Sequence, residues 1–121
     1  MVQEAQTGLW QTVGGAIEPD EAPEDAAIRE AEEEAGIRVQ IDRVRAVVGG
    51  PRYRLQYPNG DLVSYVSVVS DARVLAGTAH PDSDETVAAS WFSVSELSEL
   101  GLSDFTVTLL SDPAVAVLTV G

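Results

Sequence analysis

The sequence predicts an α/β (α+β) fold, a mixed β-sheet sandwiched by α-helices, in a single domain over residues 1–121. Three observations carry this expectation. Strand-like and helix-like stretches are intermixed along the chain. The stretch Pro23–Ala35 carries a start and a stop signal for a helix. Asn59-Gly60 lies between two β-rich runs, which is a hairpin signal. A length of 121 residues fits one domain and can bury a core without disulfide or metal staples.

Residues 8–17, from Gly8 to Ile17, read as a short strand broken by Gly14-Gly15. In Pro23–Ala35, proline suits the first helical position and acids crowd the first turn, where the helix dipole favours them. Gly36 suits the left-handed residue just past the end. Arg38–Val48 reads as a strand with imperfect alternation. Residues 53–57 and 62–70 form the two arms of the Asn59-Gly60 hairpin. The second arm is so continuously apolar that a central strand is expected. Residues 78–84 make a polar loop and residues 87–92 a strand. Ser95 is expected to cap a short helix at 96–100, and Ser103 another at 104–110. The apolar tail 114–120 suits strand or coil.

Composition narrows the function. With no cysteine, disulfide frameworks, thiolate zinc sites and cysteine nucleophiles are excluded. The only basic side chains besides one histidine are seven arginines, against 20 acids, for a net charge of −13. No basic patch can track a phosphate backbone, so no nucleic-acid partner is expected. No apolar run reaches the roughly 20 residues of a membrane span. The first residues lack the basic and apolar regions of a signal peptide. A cytoplasmic protein without membrane association is the expectation.

The acid is concentrated. Residues 18–34 hold nine acids and one base, Arg29, and carry −8 of the total. On a helical wheel with Glu30 at zero, Glu33 falls at about −60° and Glu34 at about +40°. Three carboxylates thus share a face, while Ile28, Ala31 and Ala35 share a neighbouring one that can pack on a sheet. Such a charge run is either a solvated face or, with phosphate oxygens and water, a seat for Mg2+ or Mn2+.

The wider pattern bears on this choice. Gly15, Glu21, Arg29, Glu30, Ala31, Glu33, Glu34, Gly36 and Ile37 fill every fixed position of G-x5-E-x7-R-E-U-x-E-E-x-G-U, with U aliphatic. The chain resembles the Nudix hydrolases, whose signature this is. The lead-in Gly8-Leu-Trp-Gln-Thr-Val-Gly-Gly15 is similar to the family's G-x-W-x-x-P-G-G, with Val13 where proline is common. Asp84-Glu85, Trp91-Phe92 and Glu96-Leu97 look like its acidic loop, W-F strand and following helix. The resemblance runs from Gly8 to about residue 110.

That resemblance implies hydrolysis of a nucleoside diphosphate linked to another moiety, with Mg2+ or Mn2+ and a small nucleotide as substrate. It implies Glu33 and Glu34 as metal ligands, and Glu30 as a further ligand or the base. A carbonyl of Gly14 or Gly15 would join the metal. Arg29 would orient the glutamates, with Glu21 in support. Glu85 would supply a loop carboxylate, with Asp84 or Asp82 behind it, and His80 would be a surface residue. Arg52, Arg54 and Tyr57 would line the substrate cleft. The alternative reading is a catalytically silent nucleotide-binding or regulatory domain of the same fold. A calcium module is not supported, since no D-x-D-x-D-G loop occurs.

One departure is expected to matter. Only seven residues precede Gly8, so part of the family's N-terminal strand would be missing. An open sheet edge would result, covered by a second copy in a homodimer or by the tail 114–120 acting as a strand.

Overall fold

In the computed structural model, which describes residues 1–118, the first strand β1 (Val2–Glu4) divides the molecule into two cores. Val2 is fully buried with Ala31, Ala35 and Ile37 on one side. The adjoining Met1 packs on the other side, against a cluster of Val48, Tyr53, Leu97, Leu109, Leu110 and Val115. Neighbouring residues of an extended chain point to opposite faces, and that alternation feeds both cores.

β1 is the centre of a three-stranded antiparallel sheet. Val2 stands opposite Gln11 of β2 (Trp10–Gln11) and opposite Ala89 of β7 (Thr86–Ala89). β1 is therefore paired on both sides over the residues present, and β2 and β7 form the edges of this sheet. The tail does not supply a strand: 114–118 form a turn and coil, and Val115 is buried in the second core. Thr119 and Val120, the rest of that expected strand, lie outside the described residues.

β3 (Arg38–Val48) and β6 (Ser67–Ala76) form a long antiparallel ribbon with three register shifts. Through it β3 reaches both cores, placing Val39 in the first and Ala46 with Val48 in the second. β4 (Arg54–Gln56) pairs with β5 (Leu62–Ser64) in the Asn59-Gly60 hairpin, as the turn chemistry predicts. The apolar run 62–70, however, is not one central strand. It breaks at Tyr65-Val66 into β5 and β6, each paired on one side only. Leu62 is 66% and Val66 73% exposed. The Tyr65 N–H donates to the Tyr53 carbonyl (3.0 Å), which carries the hairpin register one residue further before the chain passes to β6 at Ser67.

Three α-helices complete the fold among the described residues. α1 (Pro23–Ala35) buries Ala26, Ala31 and Ala35, small residues that let it lie close on the sheet. Gly36 ends it at φ +66°, its N–H shared between the carbonyls of Ala31 and Glu32. α2 (Val94–Leu97) is capped by Ser93 and not by Ser95. The spacing explains the shift, because Ser93 and Glu96 close a reciprocal box in which each side chain satisfies the other's backbone. α3 (Asp104–Ser111) is capped by Ser103 as expected.

Candidate active site

Arg29 organises the glutamates of α1. Its Nε donates to Glu21 at 2.8 Å, and its Nη1 donates to Glu30 at 2.9 Å and to Glu33 at 3.1 Å. Nη2 reaches Glu21 at 2.9 Å and the Ala16 carbonyl at 3.1 Å. These bonds hold the Glu21 carboxyl at about 2. They also raise the guanidinium further above its usual range. One cation thereby fixes the helix, its acidic entry and the glycine loop in one arrangement.

Glu34 makes no bond to Arg29 and joins that network only through Glu30. Burial pushes its carboxyl up to about 8, helped by hydrogen bonding with Glu30 and by the charges of Glu30 and Asp82, while the Gly14 backbone opposes the shift. Its Oε2 is buried without a hydrogen-bond partner among the described residues. Gly15 closes the cluster from above. A Cβ there would lie 2.4 Å from Glu30 Oε1. The two glycines thus bring backbone against the Glu30–Glu34 pair, and at Gly15 a side chain would block the approach, whereas a Cβ at Gly14 would meet nothing within 4 Å.

Of the other expected ligands, Glu33 is 60% exposed and pairs with Arg29. Glu32 is exposed, as the wheel predicts. Glu85 is exposed as well, and its N–H donates to Asp82 Oδ1. Asp82 is the loop carboxylate whose charge acts on Glu34. Its Oδ1 also accepts the N–H groups of Asp84 and Thr86 and the Thr86 hydroxyl, which holds its carboxyl below the usual range. The loop itself is seated on the end of α1. The exposed His80 ring covers the bare Cα of Gly36, and the His80 N–H donates to the Ala35 carbonyl at 3.0 Å.

Arg52, Arg54 and Tyr57 are not drawn to the glutamates. No hydrogen bond or ion pair among the described residues links that hairpin to α1. Arg52 pairs with Asp112 at 3.2 Å, Arg54 is exposed, and the Tyr57 and Tyr65 hydroxyls meet each other. Asp112 is buried and also accepts from the Tyr53 hydroxyl at 2.7 Å and the Ala114 N–H at 2.9 Å. Sequence reasoning missed this latch. It also missed Thr106, a fully buried polar residue that joins α3 to the glycine loop.

The donor set suits a hard divalent cation through Glu30 and Glu34. The orphaned Glu34 oxygen and the cost of two adjoining carboxylates are what a cation offsets. Among the described residues no three His, Asp or Glu groups stand together as a ready-made cage. Among these residues, too, no helix is long and apolar enough to cross a membrane.

Fold and site define an α/β protein with a helix-borne glutamate site beneath a glycine loop. The chain belongs to the NUDIX domain family, which matches residues 1–110. It is 32% identical over 109 residues to a MutT-like protein of Streptomyces ambofaciens, covering 90% of this chain and 64% of that one. An ADP-ribose pyrophosphatase of Streptococcus suis aligns with TM-score 0.70 and 30% identity, over 96% of this chain and 75% of its own. A MutT NUDIX hydrolase of Burkholderia pseudomallei aligns with TM-score 0.73 and 25% identity, over 98% and 85%. Against curated relatives matched over most of its own length, the chain spans 64% of the MutT-like protein and 36% of an NAD-capped RNA hydrolase of Pseudomonas fluorescens.

Proposed function

We propose that the chain is a metal-dependent pyrophosphohydrolase that cleaves a nucleoside diphosphate linked to another moiety, such as ADP-ribose or a modified nucleoside triphosphate. The observation that carries this reading is the Glu30–Glu34 pair, with its unpartnered buried oxygen, lying against the backbone of Gly14 and Gly15. Two carboxylates pressed together in a half-buried setting are costly unless a proton or a cation joins them. Glu30 and Glu34 would hold Mg2+ or Mn2+, with a Gly14 or Gly15 carbonyl, and Glu33 as a further ligand. The bound ion would neutralise the bridging phosphates and activate water.

Arg29 keeps Glu30 in place and leaves the substrate to other groups. Glu85 or Asp82 would supply the loop carboxylate, and Arg52, Arg54 and Tyr57 would meet the nucleotide. The name of the Streptococcus suis neighbour supports testing ADP-ribose first.

The test is incubation with Mg2+ and a panel of ADP-ribose, ordinary and oxidised nucleoside triphosphates, dinucleoside polyphosphates and nucleotide sugars, with products separated by chromatography. Turnover of one class is expected, abolished by EDTA and restored by Mg2+. No turnover of any compound, or full turnover in excess EDTA, overturns the proposal.

A further inference from the structure

The glycine loop is pinned on both sides of Gly14-Gly15. Downstream, Arg29 holds the Ala16 carbonyl at 3.1 Å. Upstream, the Thr12 N–H donates to Thr106 Oγ1 at 3.4 Å, across 94 residues of sequence. The first pin lies within the signature and the second lies outside it.

Thr106 is 0% exposed, and its surroundings fix its hydroxyl. The Ser103 hydroxyl donates to Thr106 Oγ1 at 2.8 Å, while the Thr106 N–H donates to Ser103 Oγ at 3.3 Å. Ser103 is in turn tied to β2, its N–H donating to the Trp10 carbonyl at 2.9 Å. The Trp10 N–H donates to the Gly101 carbonyl at 2.8 Å, which makes a parallel bridge between Trp10 and Leu102. The start of α3 therefore grips the strand that leads into the loop, and Thr106 takes the Thr12 N–H two residues before the glycines. A long N–H···O contact is weak in water, but the Thr12 amide is half-buried and is only partly free to turn to solvent when it loses its acceptor.

We propose that Thr106 is a positioning residue, whose buried hydroxyl holds the Thr12 end of the glycine loop and so sets how the backbone of Gly14 and Gly15 meets Glu34 and Glu30. The inference rests on the proposed function for its catalytic meaning, though not for its structural content. Loosening this pin frees the Thr12 end of the loop, which is then held by Arg29, by the contact of the Gly14 backbone with Glu34 and by the packing of Val13. The consequence falls on cation binding, because the loop carbonyls and the two carboxylates would no longer be held at a fixed spacing.

The experiment compares Thr106→Val, which keeps the shape and removes the hydroxyl, with Thr106→Ser, which keeps the hydroxyl and removes the methyl. Three quantities are read: amide hydrogen exchange of residues 12–15 in metal-free protein, Mn2+ affinity by calorimetry, and the Mg2+ dependence of turnover. Urea unfolding of each variant provides the global stability against which exchange is normalised. Thr106→Val is expected to speed exchange at residues 12–15 roughly five- to tenfold beyond the global change and to weaken Mn2+ binding several-fold. Thr106→Ser is expected to stay near the wild type in both.

Equal losses in the two variants would assign the effect to methyl packing and overturn the proposal. Unchanged exchange at residues 12–15 in Thr106→Val would overturn it too. If the wild type hydrolyses nothing while Thr106→Val still frees the loop and weakens Mn2+ binding, the positioning role stands and the hydrolase reading fails.

Discussion

Replacing Gly15 by alanine separates what the glycine loop does for the site from what it does for the fold. The new Cβ would lie 2.4 Å from Glu30 Oε1 and 2.7 Å from its Cδ. Ordinary contact begins near 3.4 Å, so the carboxylate must retreat by about 1 Å. The obstacle is the far end of a flexible side chain, and Gly15 is not among the residues of positive φ, so its backbone tolerates alanine. Alanine also stiffens the unfolded chain, which favours folding by about 0.4–1 kcal/mol and offsets the strain at Glu30. The net change in stability is therefore expected to stay within about 1 kcal/mol. Catalysis is expected to fall about 100-fold, the usual effect of a misplacement of about 1 Å in a reacting constellation. Urea unfolding measures the first quantity, and kcat on the compound the wild type turns over measures the second. Gly77→Ala is the contrast, with φ +95° and a backbone obstacle, the Gly36 carbonyl oxygen, at 2.5 Å. It is expected to cost about 2 kcal/mol or more. A Gly15→Ala enzyme with kcat within about twofold of the wild type would refute the close approach as a functional constraint.

Two further outcomes follow from the same geometry. Glu34→Gln is expected to lower kcat by about 100-fold or more without lowering the urea midpoint in metal-free protein, because the buried carboxylate is disfavoured there; Glu32→Gln, on the exposed side of α1, is expected to leave kcat unchanged. At alkaline pH the Tyr53–Asp112 latch is expected to fail, since burial and Asp112 hold the Tyr53 hydroxyl up to about 12. A raised folded-state pKa favours the protonated form, so the stabilisation is complete below about 10 and lost as pH rises toward 12. Tyr53→Phe is expected to cost roughly 1.5–3 kcal/mol at neutral pH and to flatten the alkaline loss, both read by urea unfolding across pH.

Local signals made much of this molecule legible. Pro23, the acids of the first turn and Gly36 bound α1 because capping acts within a few residues of the helix end. The hairpin followed from Asn59-Gly60 for the same reason. Arg29, Glu30 and Glu34 were legible through a fixed spacing on one helix. Burial and long-range pairing were not. The apolar run 62–70 contains no Gly or Pro to show that it changes partners at Tyr65-Val66. The pairing of β1 with β7 and the contact of Thr106 with Thr12 join opposite ends of the chain, and no local pattern encodes them. The Asp82 cage is local in sequence, but its proximity to Glu34 depends on how His80 sits on Gly36.

The contacts between distant ends also set an order of events during synthesis. The signature residues all leave the ribosome by Ile37, yet the strand that roots their glycine loop has no complete set of partners until Thr106 has emerged. Translation at about 5–20 residues per second puts about 5–20 s between the two ends of the 94-residue Thr12–Thr106 contact. Through that interval α1 can coil locally, while Val2 and the unpaired edges of β1 wait for β7. The nascent chain therefore carries its glutamates well before it can arrange them. A stalled or prematurely released product that ends before α3 would contain the entire signature and lack the upstream anchor of its loop.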